Sequence, residues 1–247
     1  MASFFLAKNK TKKYYEYMKA IILAAGKGNR LSPLTEHTPK PLINISGKPV
    51  IDRIFQSLPD EIDEVIIVVE HLKEKIKSHV GDNFYGHKVT YVDQISMRGT
   101  FGALLSARPF IAPNERFLVL NGDDLHEKTE LEKYLEYPRS FGLQKMKMEN
   151  YHSVHIDKDN YIIGFYSQTE KEKIDGTLIA TGAYLTDTNV FKHEGIALRD
   201  GEHGLPQTLL AQKNIYPIKA VITEKWIPIN SFEDIEKVEF HFKNNFP

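Results

Sequence analysis

Apolar runs without polar alternation recur through the first half of the chain, at residues 20–24, 65–69 and 117–120. Runs of this kind are typical of parallel strands that are covered on both faces. Residues 51–58 instead carry apolar side chains at a helical spacing, which predicts an amphipathic helix between two of the strands. Further helices are predicted at residues 72–80, 100–107, 129–135, 190–191, 205–211 and 232–242. Strands that alternate with helices predict a doubly wound α/β sheet, whose ligands bind beyond the carboxyl ends of the strands.

The second half of the chain has a different pattern, with short strands and turns between residues 142 and 183. Residues 153–156 and 161–163 are predicted strands on either side of a polar turn at residues 157–160. We expect this region to form a mixed sheet that builds the second side of the ligand cleft.

Composition and charge narrow the class of protein. The 247 residues are 41% hydrophobic, enough for a sizeable core in one α/β domain, which we place at residues 18–247. Residues 1–17 are predicted to be an N-terminal extension. It is part of the native protein, the result of a start site placed too far upstream, or sequence left from cloning. The 32 basic and 33 acidic residues nearly cancel, so no overall field draws the protein to nucleic acid or anionic lipid. The sequence has no cysteine, which excludes disulfides and thiolate chemistry.

The sequence also lacks the patterns of a membrane or secreted protein. No apolar run approaches the roughly twenty residues that cross a bilayer. Near the N-terminus, the apolar residues 4–6 precede a group of lysines, which reverses the order found in a secretory signal. We therefore expect a cytoplasmic enzyme that has neither a membrane nor a nucleic acid as its partner.

A glycine loop follows the first predicted strand and leads into a basic segment. We expect Gly26 and Gly28 to take positive φ angles and to bring backbone N–H groups close to a ligand. Arg30 and Lys40 add positive charge nearby, so the natural ligand is a polyphosphate. The loop is neither a P-loop, because Asn29-Arg30 follows Gly28, nor a dinucleotide fingerprint, because the third glycine position holds Leu31.

The pattern G-x-G-x-R followed by P-K-P resembles the nucleotidyltransferase superfamily whose members join a nucleoside triphosphate to a sugar 1-phosphate. The resemblance implies a Rossmann-like three-layer αβα fold with a central mixed, mostly parallel sheet, of the nucleotide-diphospho-sugar transferase type. It also implies Mg²⁺ as cofactor and a nucleotide site along the glycine loop. The loop residues assigned to that site are Leu23, Ala24, Ala25, Gly26 and Gly28.

A second segment, Q-x-x-x-x-G-T, resembles the part of this family that holds the nucleobase. The residues are Gln94, Gly99 and Thr100. A glutamine amide offers both a donor and an acceptor to a base edge, and glycine lets the backbone lie flat against the ring. The alternative is an ordinary helix start with Thr100 as its N-cap.

The string N-G-D-D follows the third apolar run, and its first aspartate, Asp123, resembles the family's Mg²⁺ ligand. Magnesium needs oxygen ligands and is commonly held by one or two carboxylates together with phosphate oxygens. Asp124 is the rival ligand, and a turn stabilised by local Asn and Asp hydrogen bonds is the simpler explanation.

The second metal ligand is the point at which the chain departs from the family pattern. The sugar-phosphate branch typically has W-x-D-x-G, but Pro228 stands where the aspartate belongs. The sequence Ile229-Asn230-Ser231 resembles the I-N-T element of other branches, so the resemblance assigns the second metal ligand to Asn230. The competing interpretation makes Asn230 or Ser231 the N-cap of the last helix.

The acceptor side resembles the family less closely. The T-G-x-Y pattern is present and includes Gly182, while Glu170 and Lys171 lack the proline that normally follows them. The resemblance implies that Glu170 binds sugar hydroxyls, Lys171 the acceptor phosphate and Gly182 the sugar by close approach. The alternative for residues 170–173 is a solvated charged loop.

These assignments predict transfer of a nucleoside monophosphate to a sugar 1-phosphate with release of pyrophosphate. Arg30, Lys40 and Asp123 are the predicted catalytic residues. One alternative is a cytidylyltransferase that acts on a small phosphorylated alcohol or acid such as phosphocholine. Another is a subunit that binds nucleotide-sugars without catalysis. The substrates are small molecules, and assembly into a homo-oligomer is compatible with the sequence.

Overall fold

The computed structural model describes residues 18–95, 97–147, 152–198 and 200–245. The predicted extension, residues 1–17, lies outside the described residues. The helices are α1 (Leu34–His37), α2 (Val50–Ser57), α3 (Lys73–Val80), α4 (Thr100–Ala107), α5 (Lys128–Glu132), α6 (Glu170–Asp175), α7 (Leu205–Ala211) and α8 (Phe232–Asn245). The longer strands are β1 (Met18–Leu23), β4 (Ile62–Val69), β6 (His87–Asp93), β7 (Arg116–Asn121), β9 (Ser140–Met146), β10 (Ser153–Ile156), β11 (Ile162–Tyr166), β12 (Thr177–Asp187) and β15 (Lys219–Ile222). The two-residue strands are β2 (Asn44–Ile45), β3 (Lys48–Pro49), β5 (Asn83–Phe84), β8 (Asp124–Leu125), β13 (Ile196–Ala197), β14 (His203–Gly204) and β16 (Ile227–Pro228).

The main sheet has eight strands in the order β15-β9-β12-β7-β1-β4-β6-β5. Four adjacent strands are parallel to one another, namely β7, β1, β4 and β6. Strand β12 runs antiparallel to both β7 and β9. Because β1 pairs with β4 on one side and with β7 on the other, the carboxyl ends of β1 and β7 flank a topological switch point, where ligands bind in such sheets. The predicted mixed, mostly parallel sheet is confirmed.

Alternate residues of the central strands pack into separate cores on the two faces of the sheet. In β1, Ile21 belongs to the same core as Leu104 of α4 and Leu209 of α7, whereas Ile22 belongs to the opposite core with Ile54 of α2. Both isoleucines are fully buried, and burying a side chain of this size stabilises the fold by about 1.5–3 kcal/mol. Helices on both faces give the three αβα layers and explain why these strands lack polar alternation.

Most predicted elements are present, with differences in detail. Helices α4 and α7 coincide with the predicted residues 100–107 and 205–211, and β10 and β11 form the predicted hairpin. The helix predicted at 129–135 is instead α5 followed by a 3₁₀ turn at Lys133–Glu136, and the prediction at 190–191 corresponds to a 3₁₀ turn at Thr188–Lys192. Within the described part of the chain, no helix is both long and apolar enough to span a bilayer.

The interpretation of residues 170–173 as a charged loop is wrong, because these residues lie in α6. The Thr169 side chain accepts a hydrogen bond from the Glu172 N–H, and Glu172 in turn accepts one from the Thr169 N–H at 2.8 Å. This reciprocal pair is a capping box, which satisfies two N–H groups at the helix start. Hydrogen bonds from Ser153 and Thr169 lower the pKa of Glu172 to about 2, so the box keeps its charge at neutral pH.

Candidate active site

The loop after β1 is shaped by Gly28. Its φ is +69°, and a Cβ there would lie 2.9 Å from Cγ2 of Thr35. The Gly28 carbonyl accepts hydrogen bonds from the Leu31 N–H at 2.8 Å and from the Thr35 hydroxyl at 3.0 Å. Glycine is therefore required at this position both for backbone conformation and for space.

Gly26 does not have the backbone conformation that the sequence predicts for it. It is absent from the positive-φ glycines of the described residues, so the expectation of positive φ at this position is wrong. A Cβ on Gly26 would meet nothing within 4 Å. Nothing in the described part of the fold therefore requires a glycine here, and its exposed backbone is accessible to a ligand.

The predicted nucleotide, catalytic and metal residues share one cleft beside β1 and β7. Its volume is about 810 Å³, within the roughly 300–1,000 Å³ typical of small-molecule sites. The predicted residues that line it are Leu23, Ala24, Ala25, Gly26, Gly28, Arg30, Lys40, Gln94, Gly99, Thr100, Asp123 and Asn230. The cleft is thus lined at the carboxyl ends of four parallel strands, β1, β4, β6 and β7, as the parallel topology requires.

At the floor of the cleft, Lys40, Asp123 and Asn230 form a hydrogen-bonded group that we call the Lys40 cluster. The Lys40 ammonium donates to Oδ2 of Asp123 and, at 3.2 Å, to Oδ1 of Asn230. Arg30 donates to the same Asn230 oxygen at 2.9 Å. One carboxylate oxygen, from Asp123, and one amide oxygen, from Asn230, therefore both contact the same cation, which is the Lys40 ammonium.

Asn230 reaches this cluster through the short pairing of β16 with β8. Pro228 pairs with Asp124, and the Ile229 N–H donates to the carbonyl of Asp123 at 2.9 Å. The cap of α8 is Ser231, whose hydroxyl accepts a hydrogen bond from the Asp234 N–H at 3.2 Å. The Asn230 side chain therefore faces the cleft and is not the helix cap.

Asp124 lies behind the cleft. Its carboxylate accepts hydrogen bonds from Nδ2 of Asn121 and from Nε1 of Trp226, each at 2.9 Å. Burial, together with the charge of Asp123, raises the pKa of Asp124 well above its ordinary value. Both oxygens of Asp124 thus have protein partners, which disfavours it as a metal ligand and gives Trp226 a supporting role that the motif comparison did not identify.

Gly182 packs against this buried group. Its φ is +75°, and a Cβ would lie 2.0 Å from Oδ2 of Asp124 and 2.3 Å from Nδ2 of Asn121. Gly182→Ala is expected to lower the free energy of unfolding by about 3 kcal/mol, combining left-handed strain with overpacking. Urea denaturation followed by circular dichroism measures the loss.

Gly47→Ala is the matched control for this substitution. Gly47 has a φ of +80°, but a Cβ there would meet nothing within 4 Å. It should cost only about 1 kcal/mol, the strain of the backbone conformation. Equal losses in the two variants would show that contact with Asp124 and Asn121 does not require glycine at position 182.

His126, just after β8, predicts a pH dependence of stability. Burial lowers the pKa of His126 to about 3, whereas an unfolded histidine titrates near 6.5. Between these values the unfolded chain takes up a proton that the folded protein does not, so stability falls as the pH decreases below about 6.5. At pH 5 this group should lower the free energy of unfolding by about 2 kcal/mol relative to pH 7.

Urea unfolding of wild type and His126→Leu at pH 7 and pH 5 checks this expectation. Each variant's own value at pH 7 is its reference, so the cost of the substitution itself cancels. The change between the two pH values should be about 2 kcal/mol smaller in the variant. An identical pH dependence would rule out His126 as its source.

The predicted base-binding segment begins where β6 ends. Nε2 of Gln94 donates to the carbonyl of Met97 at 3.1 Å. Gly99 has a φ of +91°, and a Cβ there would lie 2.6 Å from the backbone N and O of His203. Gly99 is the N-cap of α4, while the Thr100 hydroxyl accepts a hydrogen bond from the Leu205 N–H at 2.9 Å. The interpretation of Thr100 as the helix cap is therefore wrong, and the segment is held against β14.

Several residues that line the cleft were not predicted. Arg98 forms an ion pair with Glu202 at 3.1 Å on the rim, and Glu70 follows the end of β4. The strand-end rule could have identified Glu70, whereas nothing in the local sequence marks Glu202. Lys27 and Asn121 also line the cleft and belong to motifs already noted.

The predicted acceptor residues are not brought to this cleft. Lys171 lies on α6 and Gly182 lies in β12, and neither lines the cleft. The side chain of Glu170 lies outside the described part of the chain. Their assignment to the acceptor stays a prediction.

The oxygens of the Lys40 cluster fit Mg²⁺ as part of a shared site. Among the described residues there is no group of three or more His, Cys, Asp or Glu side chains that could hold a metal. Asp123 and Asn230 provide one anionic and one neutral oxygen directed at one cation position. Magnesium commonly takes one or two protein carboxylates and completes its coordination with phosphate oxygens and water.

The three-layer fold and the cleft at the switch point define a protein of the nucleotide-diphospho-sugar transferase type. The sequence pattern of the nucleotidyl transferase family matches residues 19–208. The chain belongs to this family.

Curated relatives agree with this assignment. The bifunctional protein GlmU of Methanococcus maripaludis is 38% identical over 175 residues, which cover 70% of this chain and 41% of that protein. The D-glycero-alpha-D-manno-heptose 1-phosphate guanylyltransferase of Campylobacter jejuni is 34% identical over 178 residues, covering 70% of this chain and 78% of the relative. The chain thus spans less than half the length of the GlmU relative it matches.

Solved structures share the fold at low sequence identity. A UDP-glucose pyrophosphorylase complexed with UDP-glucose aligns with a TM-score of 0.79 at 20% identity, over 92% of this chain and 98% of the other. The inositol-1-phosphate CTP transferase from T. maritima aligns with a TM-score of 0.70 at 18% identity, over 94% of this chain and 98% of the other.

Proposed function

We propose that this protein transfers a nucleoside monophosphate from a nucleoside triphosphate to a sugar 1-phosphate and releases pyrophosphate. The observation that carries the proposal is the shared cleft. The glycine loop, the Gln94 segment and the Lys40 cluster all line it. The phosphates and the base of one nucleotide, together with a metal ion, could therefore be bound in the same cleft. The Campylobacter jejuni relative is named as a guanylyltransferase that acts on a sugar 1-phosphate, an activity of the same type.

The reaction needs little acid–base chemistry from the protein. The acceptor phosphate already carries a nucleophilic oxygen, so no side chain has to remove a proton from it. The difficulty lies in bringing two anions together and in stabilising charge on the pyrophosphate that leaves. Positioning and electrostatic stabilisation supply most of the catalysis in such transfers.

The basic residues of the cleft are suited to that task. Arg30 and the exposed amides of the glycine loop would bind the β- and γ-phosphates, with the planar guanidinium making paired hydrogen bonds. Lys40 would contact the α-phosphate or the acceptor phosphate as a point charge. The backbone of the Gly99 region and the side chain of Gln94 would hold the base.

Asp123 and Asn230 would hold Mg²⁺ in this scheme. The ion, when bound, supplies positive charge that offsets repulsion between the α-phosphate and the acceptor phosphate. Lys171 and Gly182 are proposed to lie nearer the sugar, together with Glu170.

A pyrophosphate-release screen tests the function. The protein is incubated with Mg²⁺ and each of ATP, CTP, GTP, UTP and dTTP against a panel of sugar 1-phosphates and small phosphorylated alcohols. Release with at least one triphosphate and sugar 1-phosphate pair is the expected result, and product mass identifies the nucleotide-sugar. No release from folded protein with any pair would favour a nucleotide-sugar-binding subunit without catalysis.

A cytidylyltransferase that acts on a small phosphorylated alcohol is the second candidate. It is favoured by Pro228, which replaces the aspartate of the sugar-phosphate branch, and by the Asn230 amide that takes a place in the cleft. Release only with CTP and a phosphorylated alcohol such as phosphocholine would select it.

A further inference from the structure

The two oxygens proposed to hold the metal both face the same ammonium group. Lys40 Nζ donates to Oδ2 of Asp123 and to Oδ1 of Asn230. A divalent cation bound by both oxygens would therefore lie close to the present position of Nζ. Repulsion between cations a few ångströms apart is strong wherever water is partly excluded. The ammonium and the metal thus compete for the same acceptors.

The base of the Lys40 side chain is held in place while its end can move. Lys40 begins a 3₁₀ turn at Lys40–Leu42 that follows Pro39, and its side chain is only 10% exposed. Its Cβ lies 3.5 Å from the position that a Cβ on Gly28 would take, so the side chain starts beneath the glycine loop. Four methylene groups let the ammonium turn between neighbouring acceptors without a change in the backbone.

A triphosphate on the glycine loop would change which acceptors Lys40 prefers. Its oxygens carry several negative charges and would lie beside Gly28, close to the start of the lysine side chain. Charge-assisted hydrogen bonds to phosphate are strong, so the ammonium could exchange Asp123 for a phosphate oxygen. The carboxylate of Asp123 would then be free for a metal ion.

We propose that Lys40 keeps Asp123 and Asn230 closed to divalent cations until a triphosphate binds and draws its ammonium away. The inference rests on the proposed function, because it assigns a triphosphate to the glycine loop. It makes the binding of triphosphate and the binding of metal mutually dependent, and each raises the affinity for the other by the same factor. The metal site is then assembled only together with substrate.

Manganese binding followed by electron paramagnetic resonance tests the proposal without relying on turnover. Oxygen sites that accept Mg²⁺ also accept Mn²⁺, and the signal of free Mn²⁺ is lost on binding. The full chain is titrated with Mn²⁺ in the absence of nucleotide. Lys40→Met is expected to bind Mn²⁺ at least roughly tenfold more tightly than wild type, within the usual range of coupling between sites. Lys40→Gln removes the same charge and serves if the methionine variant does not fold.

Two further variants separate this effect from general electrostatics. Lys27→Met removes a lysine from the same cleft and should leave Mn²⁺ affinity close to that of wild type. Lys40→Met combined with Asp123→Asn should lose the gained affinity, because the ion would no longer have its carboxylate. Folding of each variant is checked by the emission of Trp226, the only tryptophan in the sequence and a buried one.

Unchanged Mn²⁺ affinity in folded Lys40→Met and Lys40→Gln would overturn the proposal. An equal gain in Lys27→Met would also overturn it, since overall charge would then be the cause. Failure of the proposed function would be seen in a different measurement. Wild-type protein would then neither bind a nucleoside triphosphate in calorimetry nor release pyrophosphate. Normal turnover by wild type together with unchanged Mn²⁺ affinity in the Lys40 variants would remove this inference alone.

Discussion

Arg30→Ala is expected to lower kcat by about 10²–10³ with little change in melting temperature. Arg30 is exposed at the edge of the cleft, and its side chain donates a solvent-exposed hydrogen bond to the amide of the half-buried Asn230. Its loss should therefore cost little stability. In the reaction, the same guanidinium would face the charge that develops on pyrophosphate, where removing one donor typically costs this factor. Steady-state pyrophosphate release and thermal denaturation measure the two effects.

Lys27→Ala is the matched control for Arg30. Both residues lie on the exposed loop after β1 and line the same cleft. Only Arg30 is bonded to the Lys40 cluster in the contacts that the structure describes. We expect the Lys27 variant to retain more activity than Arg30→Ala. Wild-type turnover in Arg30→Ala would remove this residue from the catalytic site.

Asp123→Asn is expected to raise the Mg²⁺ concentration for half-maximal rate at least tenfold and to lower the rate at saturating metal. The substitution keeps the shape of the side chain and an oxygen that can accept the Lys40 hydrogen bond, but it removes the negative charge. Magnesium is a hard cation that depends on anionic oxygen, so two neutral protein ligands would hold it poorly. A metal titration of initial rates gives both values.

The neighbouring carboxylate supplies the control, because Asp124→Asn should affect folding more than metal dependence. Trp226 and Asn121 both donate hydrogen bonds to the carboxylate of Asp124. In Asp124→Asn, an NH₂ group would replace one of the two accepting oxygens and would face one of these donors. A buried polar group left without a partner costs about 1–3 kcal/mol. An unchanged metal titration in Asp123→Asn with a shifted one in Asp124→Asn would assign the metal to Asp124.

Local sequence patterns were sufficient for the layers of the fold. The run Val65–Val69 is fully buried in β4, in agreement with its lack of polar alternation. Helices α4 and α7 have the predicted ends. Both signals are local, because the alternation of strands and the helical spacing are set by neighbouring residues.

Helix capping was predicted less well, although part of the signal was present. Thr169 and Glu172 have the spacing of a capping box, and the structure contains one. At α8, the sequence allowed either Asn230 or Ser231 as the N-cap. The choice depends on contacts made elsewhere, since Lys40 and Arg30 are the partners of Asn230.

The sequence by itself determined the buried parallel strands, the glycine loop and the residue types needed to bind a polyphosphate. Only the tertiary structure decided that Lys40 meets Asp123 and Asn230, which are 83 and 190 positions away in the chain. It also decided that Asp124 turns away from the cleft toward Trp226. The physical reason is that local preferences act between neighbours, whereas these contacts depend on the order of strands in the sheet and on the pairing of β16 with β8.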